Sequence, residues 1–213
     1  VVARITLTRA RIVAAAVELL DGEGLSGLTA RALAARLGVQ AGAIYHHLPD
    51  MRSVADAVAT ELLREMVTPT EPVPADWREL LEAYGTRVRT VLLRHRDGAR
   101  VFAGSHVDDA TLIEPMEASL AVLADAGFTP TVAVWLLQSV LHLTVGFVIE
   151  EQHRQDQAPS YVPDVRAARF DAGRTPRVVA AGTALAADPD AQFAFGLRLL
   201  VDGAAGLLDP TVS

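Results

Sequence analysis

Apolar residues recur along almost the whole chain at intervals of three and four, with no β-type alternation, heptad run or internal repeat. That period fits an α-helix and not a strand. The first such stretch sets Ile12, Val13, Ala16, Val17, Leu19 and Leu20 at helical spacing, with Thr8 placed to cap it and "DGEG" to stop it. "SGLTARALAARLG" predicts a second helix: Thr29 is its N-cap, Leu33 and Leu37 share a face at i and i+4, and Gly38 takes the left-handed position past its end. Val39 and Gln40 form a tight connector, Ala41 to Leu48 a third short helix, and Pro49-Asp50 stops it and caps a fourth that reaches Val67. Two short helices joined by a turn at a glycine make a helix-turn-helix.

"TPTEPVPAD" (68 to 76) has three prolines in nine residues and interrupts the helical pattern. The pattern then resumes over 76 to 94, 97 to 105, 110 to 126, 130 to 153 and 188 to 208, with a polar, proline-containing excursion at 154 to 177. The stretches 130 to 153 and 188 to 208 are apolar on more faces than one chain's core would hide, which marks them as a dimer interface. The expected fold class is therefore all-α. A three-helix head over 1–52 joins a helical body over 53–213, while residues 155–187 receive no role.

Composition refines this picture without changing it. Of 213 residues, 51% are hydrophobic, enough for a sizeable core. No run is expected to approach an uncharged membrane span, and the start "VVARITLTRARI" lacks a continuous apolar segment ending in a cleavage site, so the expected location is the cytoplasm. The absence of cysteine excludes disulfides, thiolate zinc sites and cysteine nucleophiles. The net charge of −7 is unevenly placed: residues 1–52 hold six Arg against four acids (+2), and the remainder holds 13 Arg against 22 acids (−9). A mildly basic head thus precedes an acidic body.

"AGAIYHHL" (41 to 48) is the first stretch with candidate chemistry. In a helix-turn-helix the second helix enters the major groove, with its first residues close to base edges and phosphate contacts on its flanks. Ala41, Gly42 and Ala43 are small enough for close approach. Tyr45, His47 and Arg52 supply donors at the height of the phosphates, with Thr29 donating from the preceding helix. Gln40, Arg31 and His46 are long enough to read bases, arginine favouring guanine and glutamine favouring adenine. The same spacing also suits a structural helical hairpin whose histidines are merely solvated.

Thr29, Arg31, Leu33, Ala34, Leu37, Gly38, Val39, Gly42, Ile44, Tyr45, His47 and Leu48 together resemble the N-terminal signature of the TetR family of bacterial transcriptional repressors. The resemblance implies a homodimer that binds a palindromic double-stranded DNA operator and releases it when a small organic inducer enters the C-terminal domain. Two departures stand out: Met51 occupies a position where the family often has lysine, and Ala43 one where it usually has a small hydroxyl residue.

"LLRHRDGARVFAGSH" (92 to 106), "LADAGFTP" (123 to 130) and "LHLTVGFVIEEQH" (141 to 153) are similar to C-terminal segments of the family's tetracycline-responsive branch. This likeness implies an inducer pocket formed by Val67, Tyr84, Val88, Phe102, Ser105, His106, Ser119 and His142, with Glu150 contributed by the other subunit. It also places Phe102 where that branch has the histidine that coordinates magnesium. A phenyl ring offers magnesium no lone pair. The implied inducer is therefore a drug-sized, largely apolar or aromatic molecule bound without metal or other cofactor.

Catalytic alternatives have less to stand on. Glu150 and His153 share a helical face in the spacing that binds iron in four-helix bundles, but no second Glu-x-x-His exists. Ser105 and His106 are adjacent and cannot face each other on a helix. There is no Gly-rich phosphate loop and no Gly-x-Ser-x-Gly. The chain is expected not to be an enzyme; the rival reading is a helical small-molecule-binding protein or enzyme whose DNA-binding head no longer functions.

Overall fold

Three polar side chains start the helices of the head. Thr8 Oγ1 accepts from the Arg11 amide at 3.2 Å and opens α1 (Arg9–Glu23), and Thr29 Oγ1 accepts from the Ala32 amide at 3.3 Å and opens α2 (Ala30–Leu37). Asp50 Oδ1 accepts from the Ser53 amide at 2.7 Å and from the Ser53 hydroxyl at 2.8 Å, opening α4 (Met51–Val67). Each cap satisfies a backbone donor that has no partner inside its helix. Between α2 and α3 (Ala41–Tyr45), Gly38 adopts φ 67°, the left-handed region that a side chain resists.

The computed structural model describes residues 6–68, 72–107, 109–156, 173–181 and 188–208, and all regular structure among them is helical. After α4 come α5 (Trp77–Arg94), α6 (Gly98–Ala103), a 3-10 turn (Ala110–Leu112), α7 (Glu114–Asp125) and α8 (Pro130–Asp156). A short helix α9 (Pro176–Ala181) and a final helix α10 (Pro189–Ala205) complete the described chain, with a 3-10 turn over Gly206–Leu208.

The third helix is shorter than its apolar pattern predicts. The amides of His47 and Leu48 both donate to the Ile44 carbonyl, at 2.9 and 3.0 Å, closing a turn. Pro49 then disfavours helical geometry at Leu48. The expected helix over 110 to 126 is split: Asp109 accepts from the Thr111 amide and hydroxyl to hold the 3-10 turn, and α7 begins at Glu114 with Pro115 in its first turn. Of the polar excursion, residues 157–172 lie outside the described residues, 154–156 continue α8, and 176–177 open α9, which the sequence pattern did not foretell.

Helix α4 belongs to two cores. Its first half sends Val54 and Val58 into the head, against Ile12, Leu20, Leu33 and Ile44. Its second half sends Leu62 and Met66 into a body cluster with Val88, Leu92, Val145 and Val148. The expected division at 52/53 thus falls at the start of one continuous helix. A second body cluster joins Trp77, Leu81, Leu123, Leu136, Val140, Phe193 and Leu197. Gly85 permits α5 to cross there, because a Cβ on it would meet Leu197 Cδ2 at 3.0 Å and Val140 Cγ1 at 3.1 Å. Arg89 fastens three helices, reaching Glu151 Oε1 on α8 at 2.8 Å and Asp190 Oδ1 on α10 at 2.6 Å. Its bond to Glu151 first, and then Asp190, hold the guanidinium pKa above its ordinary value.

The expectation that no run approaches a membrane span is corrected by α8. Pro130 to Ile149 contains no charged residue, and both Pro130–Gln155 and Pro189–Leu208 are long and apolar enough to cross a bilayer by length and composition, with mean hydropathies of 2.0 and 1.3. The physical reason is that these helices are apolar on two sides. Ala133, Leu137, Val140 and Phe193 face the core, whereas Trp135 (62% exposed), Phe195 (61%) and Leu199 (58%) face outward.

Candidate functional site

The outer surface of the head comes from the start of α2, from α3 and from the start of α4. Arg31 and Arg52 are exposed and form no ion pair among the described residues, whereas Arg36 is tied to Glu18 at 2.8 Å. Gln40 stands at the N-cap of α3 without a side-chain capping bond, which leaves its amide available. Gly42 is exposed, and Ala41 and Ala43 are half-buried, so α3 presents almost bare backbone at its beginning. Tyr45 (40% exposed), His46 and His47 follow on its outer end. The Thr29 hydroxyl accepts from a backbone amide and keeps its own proton for donation. Met51 packs against the head core, so the cation nearest that position is Arg52.

The body contains a cavity of about 1110 Å³ between the end of α4 and helices α5, α7 and α8. Its apolar wall includes Leu63, Met66, Leu80, Met116, Leu137 and Leu141, and its polar groups include Tyr84, Thr86, Ser119 and Gln138. Burial pushes the Tyr84 phenol up to about 12, which keeps it a neutral donor at any physiological pH. Arg64, Arg87 and Arg94 also line the space. Arg64 pairs with Glu61 and, at 2.9 Å, with Asp109; Arg94 pairs with Glu65 at 2.8 Å. The Thr111 hydroxyl first, then its amide and Arg64, hold the Asp109 carboxyl below its ordinary range.

Of the pocket residues expected from sequence, the wall holds Val67, Tyr84 and Ser119. Val88 is fully buried in the cluster beneath it, and Phe102 packs half-buried on that same cluster. Ser105 and His106 lie just past α6, where the His106 amide donates to Asp56 Oδ1 at 2.9 Å. His142 and Glu150 are exposed on α8. These six residues, from Val88 to Glu150, are outside the cavity lining. Among the described residues no three His, Asp or Glu side chains gather as metal ligands would.

The structure adds residues that sequence spacing did not single out. Three consecutive residues after α5 dock on the turn that ends α1. His95 Nδ1 meets Asp21 Oδ1 at 2.9 Å, Arg96 donates to the Gly22 carbonyl at 3.3 Å, and Asp97 accepts from the Leu25 amide at 2.8 Å. Arg64, Arg87 and Arg94 are the other omission. Nothing in their spacing sets them apart from solvated arginines; only the return of α5 along α4 brings them into one wall.

Comparison with known proteins joins the head and the cavity. Residues 12–58 match the model of the bacterial regulatory proteins, tetR family, and residues 68–207 match the tetracyclin repressor-like C-terminal domain. The tetracycline repressor protein class A from transposon 1721 of Escherichia coli is 39% identical over 91% of this chain and 88% of its own length. A possible TetR family transcriptional regulator from Streptomyces coelicolor A3(2) superposes with a TM-score of 0.82 at 34% identity, covering 93% of this chain and 99% of its own. The Streptomyces coelicolor TetR family protein ActR, in complex with actinorhodin, superposes with a TM-score of 0.80 at 28% identity, covering 93% and 95%. With a family domain matched at each end of α4, the chain belongs to the TetR family of ligand-responsive, DNA-binding transcriptional repressors.

Proposed function

We propose that Thr29, Arg31, Gln40, Ala41, Gly42, Ala43, Tyr45, His46, His47 and Arg52 form the operator-reading surface, and that the body cavity holds the inducer. The observation that carries this reading is α4, whose two halves lie in the head core and in the cavity wall. A ligand that prefers a displaced α4 shifts the population toward heads that no longer match successive major grooves, roughly 34–36 Å apart. Arg31 and Gln40 read bases, and Tyr45, His47, Thr29 and Arg52 hold phosphates. The protein acts in the cytoplasm by binding alone.

The inducer is an organic molecule accommodated by a largely apolar wall, with Tyr84 and Ser119 orienting it. ActR, with the same fold, is solved with actinorhodin bound. Magnesium does not fit the residues present. The ring of Phe102 has no lone pair to ligate it, which supports an inducer bound without metal. Val88, Phe102, Ser105, His106 and His142 support the site from beneath or beside it, and Glu150 faces the second subunit.

Two measurements test the reading. A gel shift on DNA upstream of the protein's own gene should give a saturable, sequence-dependent complex; binding indifferent to sequence would return the head to a structural role. Calorimetric titration with candidate inducers should be unchanged by a chelator, and tight binding that disappears with EDTA would show that metal enters after all.

A further inference from the structure

We propose that His95 is the positioning residue that sets how firmly the body holds α4 and the head, and that it does so by binding a proton between Asp21 and Glu65, which makes operator release depend on pH. This rests on the reading of the cavity as the inducer site. The ring lies where three elements meet. It follows α5, meets Asp21 near the end of α1, and faces Glu65 on the part of α4 that lines the cavity.

The number of donors decides what the ring can hold. Nδ1 is 2.9 Å from Asp21 Oδ1, and Nε2 is 3.6 Å from Glu65 Oε1. A neutral imidazole has one N–H, so with a carboxylate on each side one nitrogen always turns a bare lone pair toward an oxygen. With the proton on Nδ1 that nitrogen is Nε2, which is buried and has no hydrogen bond among the described residues. A second proton removes the mismatch. Both nitrogens then donate, and Nε2 needs to approach Glu65 by only about half an ångström to reach the ordinary N–H···O range. The new bond is charge-assisted, roughly twice as strong as a neutral one, and the ring's charge is paired on both sides.

The other groups around the ring do not take this role. Arg94, beside it on α5, donates to Glu65 Oε2 at 2.8 Å and holds that carboxylate in place. Glu61, one turn earlier on α4, pairs with Arg64. Arg96 donates to the Gly22 carbonyl, and Asp97 accepts from the Leu25 amide and pairs with Arg100 of α6 at 3.2 Å. From α8, Gln152 donates to the carbonyls of Leu92 and His95 at 3.0 and 2.9 Å, while Glu151 is taken by Arg89. Helix α6 begins with Gly98, where a Cβ would meet His95 Cβ at 3.0 Å, so no side chain of that residue intervenes.

Histidine is the side chain whose charge changes between about pH 5 and 8. On the alkaline side His95 grips only the head, through Asp21. On the acid side it grips the head and the cavity end of α4 together. A cavity ligand that displaces α4 must then break the bond to Glu65, so acid opposes release, and by reciprocity the displacement expels the proton.

The test uses the full-length protein, the tightest duplex selected from a random DNA pool, and N-phenyl-1-naphthylamine, an apolar probe that is uncharged across this range. The readout is the factor by which saturating probe weakens duplex binding, a ratio in which titration of His46 and His47 at the DNA surface cancels. At about pH 8 the factor should be about 5 or more, within the usual span of an allosteric coupling, and at about pH 6 at least about threefold smaller. In Glu65→Gln the carboxamide oxygen still accepts from Arg94 while its NH2 donates to Nε2, so the factor should be small and equal at both pH values. Should that variant fail to fold, Glu65→Ala removes the second carboxylate, and the factor should be large and equal at both. A merely structural contact would shift duplex affinity in these variants and leave the pH dependence in place. Nitrogen-15 spectra of histidine-labelled protein, with His95 assigned by its loss in His95→Gln, should show a neutral ring protonated at Nδ1 at about pH 8 and an imidazolium at about pH 6. Ser119→Trp, which fills the cavity, separates the two ideas. Probe binding that is absent, that Ser119→Trp leaves intact, or that releases the duplex at neither pH overturns the cavity reading and this inference with it. Equal release at both pH values in the unmodified protein, a pH dependence that survives in the Glu65 variants, or a His95 ring that stays neutral on the acid side overturns the inference alone.

Discussion

His95, at the end of α5, holds Asp21 of α1 through Nδ1 at 2.9 Å, across a sequence separation of 74 residues. The imidazole is buried, at 6% exposure, and an ionised Asp21 can only accept, so Nδ1 carries the proton. On its other side Nε2 has no hydrogen bond among the described residues and stands 3.6 Å from Glu65 Oε1. One ring thereby links the head to the helix that lines the cavity.

Removing the acceptor should be costly. Asp21→Ala leaves a buried N–H without a partner, which costs about 1–3 kcal/mol. Urea unfolding should show the midpoint lowered with the slope unchanged. A midpoint within error of the unmodified protein would mean that water replaces Asp21 and that the contact does not fasten the head.

The operator-reading surface predicts two kinds of loss. Arg31→Ala and Gln40→Ala should relax specificity, because a good bidentate base contact is worth about 1–3 kcal/mol of discrimination. Tyr45→Ala and His47→Ala should weaken operator and random duplex alike, since phosphate contacts carry no sequence information. Binding curves on both duplexes decide the matter. Equal losses on operator and random DNA in Arg31→Ala would remove that residue from the readers.

The head was legible in the sequence because local chemistry dictates it. Thr29, Gly38 and Asp50 sit where capping needs them, and the structure uses each as expected. The body was legible as helices but not as a site. A spacing rule finds which residues share a helix face, and it cannot say which neighbouring helix covers that face. So Tyr84, Val67 and Ser119 reach the cavity wall, while Val88, Phe102, Ser105, His106, His142 and Glu150, placed by likeness to relatives, lie outside this chain's lining. The arginines of the wall were invisible for the same reason, because Arg87 becomes distinctive only when α5 returns along α4.

Dimerisation should depend on the outer side of α8 and α10. Trp135, Phe195, Leu199 and Leu207 are each more than half exposed in the single chain, and obligate homodimers bury on the order of 2,000 Å² or more of such surface. Leu199→Glu would place a charge where the partner copy must desolvate it. Sedimentation at micromolar concentration should show the unmodified protein as a dimer and this variant shifted toward monomer. A dimer undisturbed by Leu199→Glu would place the interface elsewhere.

Tyr84 gives a prediction with a definite pH window. Its phenol is raised from 10.0 to about 12 by burial alone, so the folded state favours the protonated form. A group whose folded pKa is raised contributes stability that is complete below its unfolded pKa and is lost as pH rises through the folded value. Stability should therefore hold to about pH 10 and fall between 10 and about 12 as the buried phenol is forced to ionise. Tyr84→Phe removes the ionising group, and the part of that decline due to Tyr84 should disappear. At neutral pH the same variant should unfold much like the unmodified protein, because no hydrogen bond to the Tyr84 hydroxyl occurs among the described residues. Its affinity for an inducer that accepts from the phenol should nevertheless fall, by about 0.5–1.5 kcal/mol for a neutral hydrogen bond. Absorbance titration of tyrosinate alongside thermal melts would follow both effects. An unchanged alkaline slope in Tyr84→Phe would show that the ring is not the group being buried, and an unchanged inducer affinity would show that the ligand does not reach this end of the cavity.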